Sequence, residues 1–189
     1  MPFPSEIDEQ LRSDSRQLIE EAKVSVEQLV KPTWEKHTHH YPATLWAYLM
    51  AAFARLDLYS RLWDGDSGAK QTPRMRAFLA RYLPRDPVAD ALAIQLWRHT
   101  LMHTSRPRRL REQVSGHVYT YLLHWGAPQL PIEQHYVVSN LKLSLGLQYL
   151  LGDLDRALEA YLAEAGTSGD LQAKAVKVWP AIVEQEFKL

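Results

Sequence analysis

Arg98, His99 and His103 are the side chains of this chain whose types and spacing could carry acid–base chemistry on a phosphate. They lie in A-L-A-I-Q-L-W-R-H-T-L-M-H-T-S-R-P-R-R-L-R, residues 91–111. Leu92 and Leu96 are one helical turn apart, and His99 and His103 share that four-residue spacing. Pro107 cannot continue a helix and biases Arg106 away from helical angles, so the spacing predicts an end near Thr104. Arg106, Arg108, Arg109 and Arg111 then stand at the helix exit. Histidine changes charge near neutral pH, and a fixed cation beside it stabilises negative charge developing on phosphate oxygens. Two other readings use the same residues. Cations at a helix C-terminus also satisfy its carbonyl pole. His99 and His103 could share a metal as in H-E-x-x-H enzymes, but Thr100 stands where that motif needs Glu, and no third ligand is evident.

Charge is distributed around this stretch. The 189-residue chain has 22 basic and 22 acidic residues, a net charge of zero. Residues 70–111 nevertheless hold ten Lys and Arg against Asp86 and Asp90, a net +8, between flanks of −4 each. A basic block centred on a histidine helix is the footprint of a phosphate-bearing partner. The competing account is that these arginines pair with the acidic flanks once the chain folds. With no cysteine, disulfides, Cys-zinc sites and thiol nucleophiles are excluded, which fits a reducing cytoplasm. No apolar run reaches the roughly 18 residues of a membrane span, and the N-terminus M-P-F-P-S-E-I-D-E-Q lacks the marks of a signal peptide. At 46% hydrophobic and 23% charged, the expectation is one globular domain over 1–189.

The elements that must position the motif are mainly helical. Ile7, Leu11, Leu18, Ala22, Val26 and Leu29 form one stripe over residues 5–30, with Ser5 as N-cap. Leu45, Leu49, Ala52, Leu56, Tyr59 and Trp63 step by four and three over 42–63, the seam of a helix packed lengthwise on another. Trp46, Tyr48 and Phe53 widen its apolar face, leaving room for a second helix or a partner chain. Thr72 with Pro73, and Asp86 with Pro87, read as caps and first positions of two further helices. Arg74, Arg76, Arg81 and Arg85 make a basic surface there. His37, His39 and His40 (33–40) suit no helical pair and read as a connector without metal, and 64–68 lacks the ligand pattern of a calcium loop. Residues 116–125 read as a strand, and 134–138 with 141–145 as a hairpin turning at Ser139-Asn140. The histidines there, His117, His124 and His135, read as sheet-surface residues without a role. A helix over 147–165 follows, with Leu147, Leu150, Leu154, Leu158 and Tyr161 inward. A last helix capped by Asp170 is bent or split by Pro180.

Arg98-His99-x-x-x-His103 resembles the R-x4-H signature of the HEPN superfamily, in which a polar residue follows the arginine. L-Y-S-R-L-W-D-G (58–65), T-P-R-M-R-A-F-L-A-R-Y-L-P (72–84) and L-G-D-L-D-R-A-L-E-A-Y-L (151–162) resemble the surroundings of that motif in bacterial HEPN-like proteins, over roughly residues 41 to 165. The resemblance implies an up-and-down helical bundle, here with a small antiparallel β-sheet inserted after the motif helix. It implies a metal-independent endoribonuclease without cofactor, in which the RNA 2′-hydroxyl is the nucleophile. Arg98 would clamp the scissile phosphate, His103 would move the proton and His99 would shape the pocket. Arg106, Arg108, Arg109 and Arg111 would grip RNA backbone, and Asp57 would be an orienting group. Arg98 and His103 are about 140° apart around a helix, and HEPN nucleases join two copies of the motif across a homodimer. A toxin-type nuclease of this kind would have a cognate antitoxin or regulator, which the residues do not name. Other HEPN-like domains are non-catalytic RNA-binding or protein-interaction modules, the alternative expectation for this chain.

Overall fold

The computed structural model describes residues 3–30, 43–83, 86–95, 109–126 and 136–184. Helix α1 (Ser5–Ser25) runs on as a π-helical turn, Val26–Val30. Then come α2 (Ala43–Asp64), α3 (Gln71–Tyr82) and α4 (Pro87–Ala93). Four short strands follow: β1 (Leu110–Arg111), β2 (Val118–His124), β3 (Tyr136–Ser139) and β4 (Lys142–Gly146). The chain continues with α5 (Leu147–Ala165), α6 (Gly169–Val178) and α7 (Pro180–Val183). It is mainly helical with a small mixed sheet, and no helix among the described residues is long and apolar enough to cross a membrane.

Helix α2 is the centre of the helical layer and packs against α1, α3, α5 and α6. The expected seam is buried from Leu45 to Tyr59, and Trp63 packs edge-on against Phe78. Phe53 and Leu62 are buried too. Trp46 meets Tyr121 of β2, and the Tyr48 phenol pairs with Ser25 and donates to the Glu21 carbonyl. The wide apolar face that left room for a partner chain is therefore largely covered by this chain's own elements. The stripe of α5 is buried at all five expected positions. Phe78, Tyr82, Tyr59, Trp63 and Tyr161 form an aromatic cluster where α2, α3 and α5 meet. Burial disfavours the phenolate, so Tyr59 is pushed up to about 12 and Tyr161 is raised as well.

Polar side chains close the seams. Arg55 pairs with Asp14 at 2.8 Å, the Ser15 hydroxyl donates to Asp155 at 2.7 Å, and Arg12 bridges Asp8 and Glu159. Cap positions differ in part from expectation. Asp86 caps α4 as expected, accepting from the Val88 amide. Pro4 rather than Ser5 precedes α1, and α3 begins at Gln71 after Lys70, one residue before the expected cap Thr72. Ser168, not Asp170, caps α6, and Pro180 divides α6 from α7.

The sheet order is β1-β2-β4-β3. β2 pairs antiparallel with β1 but parallel with β4, so the expectation of an antiparallel sheet is corrected to a mixed one. Eleven residues (125–135) separate β2 from β3, too many for a tight turn to impose their pairing. β4 instead takes the central place, where Leu143 and Leu145 are buried on the face toward α4 and α5. The β3–β4 hairpin turns at Asn140-Leu141, one residue later than expected, because Ser139 pairs with Lys142. Both turn residues have positive φ, 49° and 57°, as a two-residue turn of matching twist requires.

Candidate RNA-binding groove

The described arginines of the +8 block divide into two groups. Arg74 and Arg81 are tied to the acidic flanks, as the competing account required. The Arg74 guanidinium pairs with Asp57 at 2.9 Å and reaches the Ser60 hydroxyl at 3.3 Å, and its side chain is only 10% exposed. Gln71 also donates to Asp57. Asp57 thus ties α2 to α3; the motif that it was expected to orient lies outside the described residues. Arg81 pairs with Glu164 of α5 and lies over the Tyr82 ring, while the Tyr82 hydroxyl donates to the same carboxylate at 2.9 Å. The hydrogen bond from Arg81 holds the Glu164 carboxyl below its ordinary range.

Arg76, Arg109 and Arg111 form the second group. All three are exposed, and none has a carboxylate partner among the described residues. The turn of α3 that carries Arg76 faces α4, and a cavity of about 310 Å³ between them is lined by Pro73, Arg76, Ala77, Ala80, Pro87 and Asp90. Arg76 also lines a larger groove of about 650 Å³ between α4 and the β1–β2 edge. Val88, Ala91 and Leu92 of α4 form its apolar wall, and Leu110, Arg111 and Tyr119 line the opposite side. That size falls within the roughly 300–1,000 Å³ of small-molecule sites.

Strand β1 presents Arg111 to the groove. Leu110 pairs with Tyr119 and Arg111 with Val118, and Gly116 allows the chain to reverse between them at φ 71°. The Arg111 guanidinium donates to the Gly116 carbonyl at 3.1 Å, which steadies the side chain without neutralising it. Glu112 also lines the groove and accepts from the Ser115 hydroxyl within the same turn.

Of the residues singled out from the sequence, Arg109 and Arg111 fall on this edge, Arg111 in the groove itself. Arg98, His99, His103, Arg106 and Arg108 lie outside the described residues, as do His37, His39, His40 and His135. The two ends of the motif segment are nevertheless located. Gln95 before it and Leu110 after it both line the large groove. In the sequence Arg76 stood out only as part of a general basic surface, and Tyr119, Gln95 and Gln113 did not stand out at all. Their β-strand and helix periodicities carried no sign that they share one groove. His124, expected on the sheet surface, is buried at the end of β2 with its Nε2 3.4 Å from the Ser144 hydroxyl. The parallel pairing with β4 makes the difference, since it sets His124 opposite Gly146 in the sheet interior. His117 is exposed, as expected.

Compared with known proteins, the chain matches no family model, no curated protein and no solved structure.

Proposed function

We propose that the protein binds RNA along the groove edged by Arg76 and Arg111, and that it cleaves RNA without a metal through Arg98 and His103. One observation carries the proposal: two exposed arginines free of carboxylate partners among the described residues line the same groove as Gln95, three residues before Arg98, and Leu110, seven after His103. Guanidinium groups without a carboxylate partner among the described residues are available to replace the counterions of a phosphate backbone.

The chemistry needs only what the motif supplies. The 2′-oxygen forms a bond to the adjacent phosphorus as the bond from phosphorus to the 5′-oxygen breaks. One proton leaves the 2′-hydroxyl and one is delivered to the departing 5′-oxygen. His103 handles proton transfer, Arg98 stabilises charge on the phosphorane, and His99 shapes the pocket. Arg106, Arg108, Arg109 and Arg111 hold backbone phosphates. Two copies of the chain meet across a two-fold axis so that Arg98 of one approaches His103 of the other.

Incubation of the purified protein with mixed RNA in EDTA tests the reading. The wild type should leave 2′,3′-cyclic phosphate ends, and His103→Ala should be slower by roughly 10²–10⁴-fold while still binding. A substrate with 2′-deoxyribose at the cleavage position should bind and stay intact. RNA binding with a steep salt dependence but no cleavage would support the non-catalytic module instead. Absence of both at low salt would sink the RNA reading. Light scattering that finds only monomer at high micromolar concentration would overturn the homodimer.

A further inference from the structure

Resting on the RNA reading above, we infer that the large groove holds one unpaired nucleobase of single-stranded RNA, stacked on Tyr119, with the adjoining phosphates at Arg76 and Arg111. A guanidinium pair alone would fit any phosphate. The rest of the lining is what selects a base. Tyr119 lines the groove with an aromatic ring, and its backbone is fixed by pairing with Leu110. The His117 ring lies nearly perpendicular to it, with centroids 6.5 Å apart. Across the groove Val88 is 51% exposed, an apolar side chain on a wall that a planar ring would cover.

The polar groups suit a base edge. Gln95 and Gln113 line the groove with side-chain amides, each of which can donate and accept. Arg76 comes from α3 and Arg111 from β1, so the two cations stand on separate elements around one cavity of about 650 Å³. That suits a ribose-phosphate chain entering on one side and leaving on another. The Glu112 carboxylate is the unfavourable feature for an anion. Its bond from Ser115 holds it within the turn. A base stacked inside a duplex cannot present its face to Tyr119, so the groove selects unpaired RNA.

Fluorescence anisotropy with a labelled oligouridine and with the same strand carrying an abasic run tests the inference at low salt. The wild type should bind the base-bearing strand roughly tenfold more tightly, as expected for one stacked base. Tyr119→Leu should erase that difference and leave the abasic affinity unchanged, and Tyr119→Phe should restore it. Circular dichroism of Tyr119→Leu confirms that the fold persists. Equal binding of the two strands by the wild type, or an equal loss for both in Tyr119→Leu, would overturn the base site while the RNA reading stands. No binding of either strand would instead overturn the RNA reading itself.

Discussion

Helix α3 has two sides, and they put arginines to different uses. Arg74, Phe78 and Arg81 lie within about one quarter-turn of each other around the helix axis. On that side Arg74 meets Asp57, Arg81 meets Glu164, and Phe78 is enclosed by Tyr59, Trp63, Tyr82 and Tyr161. Arg76 is only two residues from Arg74 but about 200° around the helix. It faces α4 and the β1–β2 edge, where its neighbours Pro73, Ala77 and Ala80 are too small to fill the space. The first side is closed by packing and ion pairs; the second opens on a groove where Arg76 has no carboxylate partner among the described residues. A basic block in a sequence can thus be part structural cement and part binding surface, divided by helix face.

The packed side should respond most strongly. Phe78→Ala removes a fully buried ring from the aromatic cluster and should cost about 3–5 kcal/mol, read as a lower urea midpoint. A change below 1 kcal/mol would show that α3 is not held by this cluster.

Next in size is the contrast between neighbouring arginines. Arg74→Ala leaves the Asp57 carboxylate, among the described residues, with Gln71 as its partner and should cost about 1–3 kcal/mol of stability, with little effect on RNA affinity. Arg76→Ala should do the reverse: stability within about 0.5 kcal/mol of wild type, weaker RNA binding and a salt slope shallower by about one. If both variants changed stability alone, the groove would lose its electrostatic distinction.

The smallest effect concerns pH. The Arg81 hydrogen bond lowers the folded-state pKa of Glu164 from its ordinary 4.5. Folding therefore gains stability from this group above 4.5 and loses it as pH falls through the lowered value. Arg81 is exposed and Glu164 half-buried, so solvent screening keeps the contribution modest. Glu164→Gln should flatten the stability profile slightly on the acid side of 4.5 in thermal melts. An unchanged acid slope would mean that solvent screens the pair completely.

Much of the helical frame was legible in the sequence because its signals are local. The stripes of α2 and α5, the Asp86-Pro87 start and the Pro180 break each depend on residues within a few turns of one another. Strand segments were legible for the same reason, since alternation of Leu143 and Leu145 needs only a period of two. Of the groove, Arg109 and Arg111 stood out by charge and clustering. Arg76 did not stand apart from Arg74, because composition cannot tell which side of a helix will find a carboxylate.

The tertiary structure alone decided the rest. Arg81 and Glu164 are 83 residues apart, Ser15 and Asp155 140. No local pattern encodes such partners. Strand order belongs to the same class: β4 lies between β2 and β3 because its buried leucines meet α4 and α5, a condition set by helices on both sides of it in sequence. By itself the sequence determined where helices and strands form and where positive charge accumulates, through periodicity, caps and composition. Which arginines are neutralised, which remain open, and that Arg76, Tyr119 and Arg111 share one groove were decided by long-range packing, because those contacts exist only once distant segments are brought together.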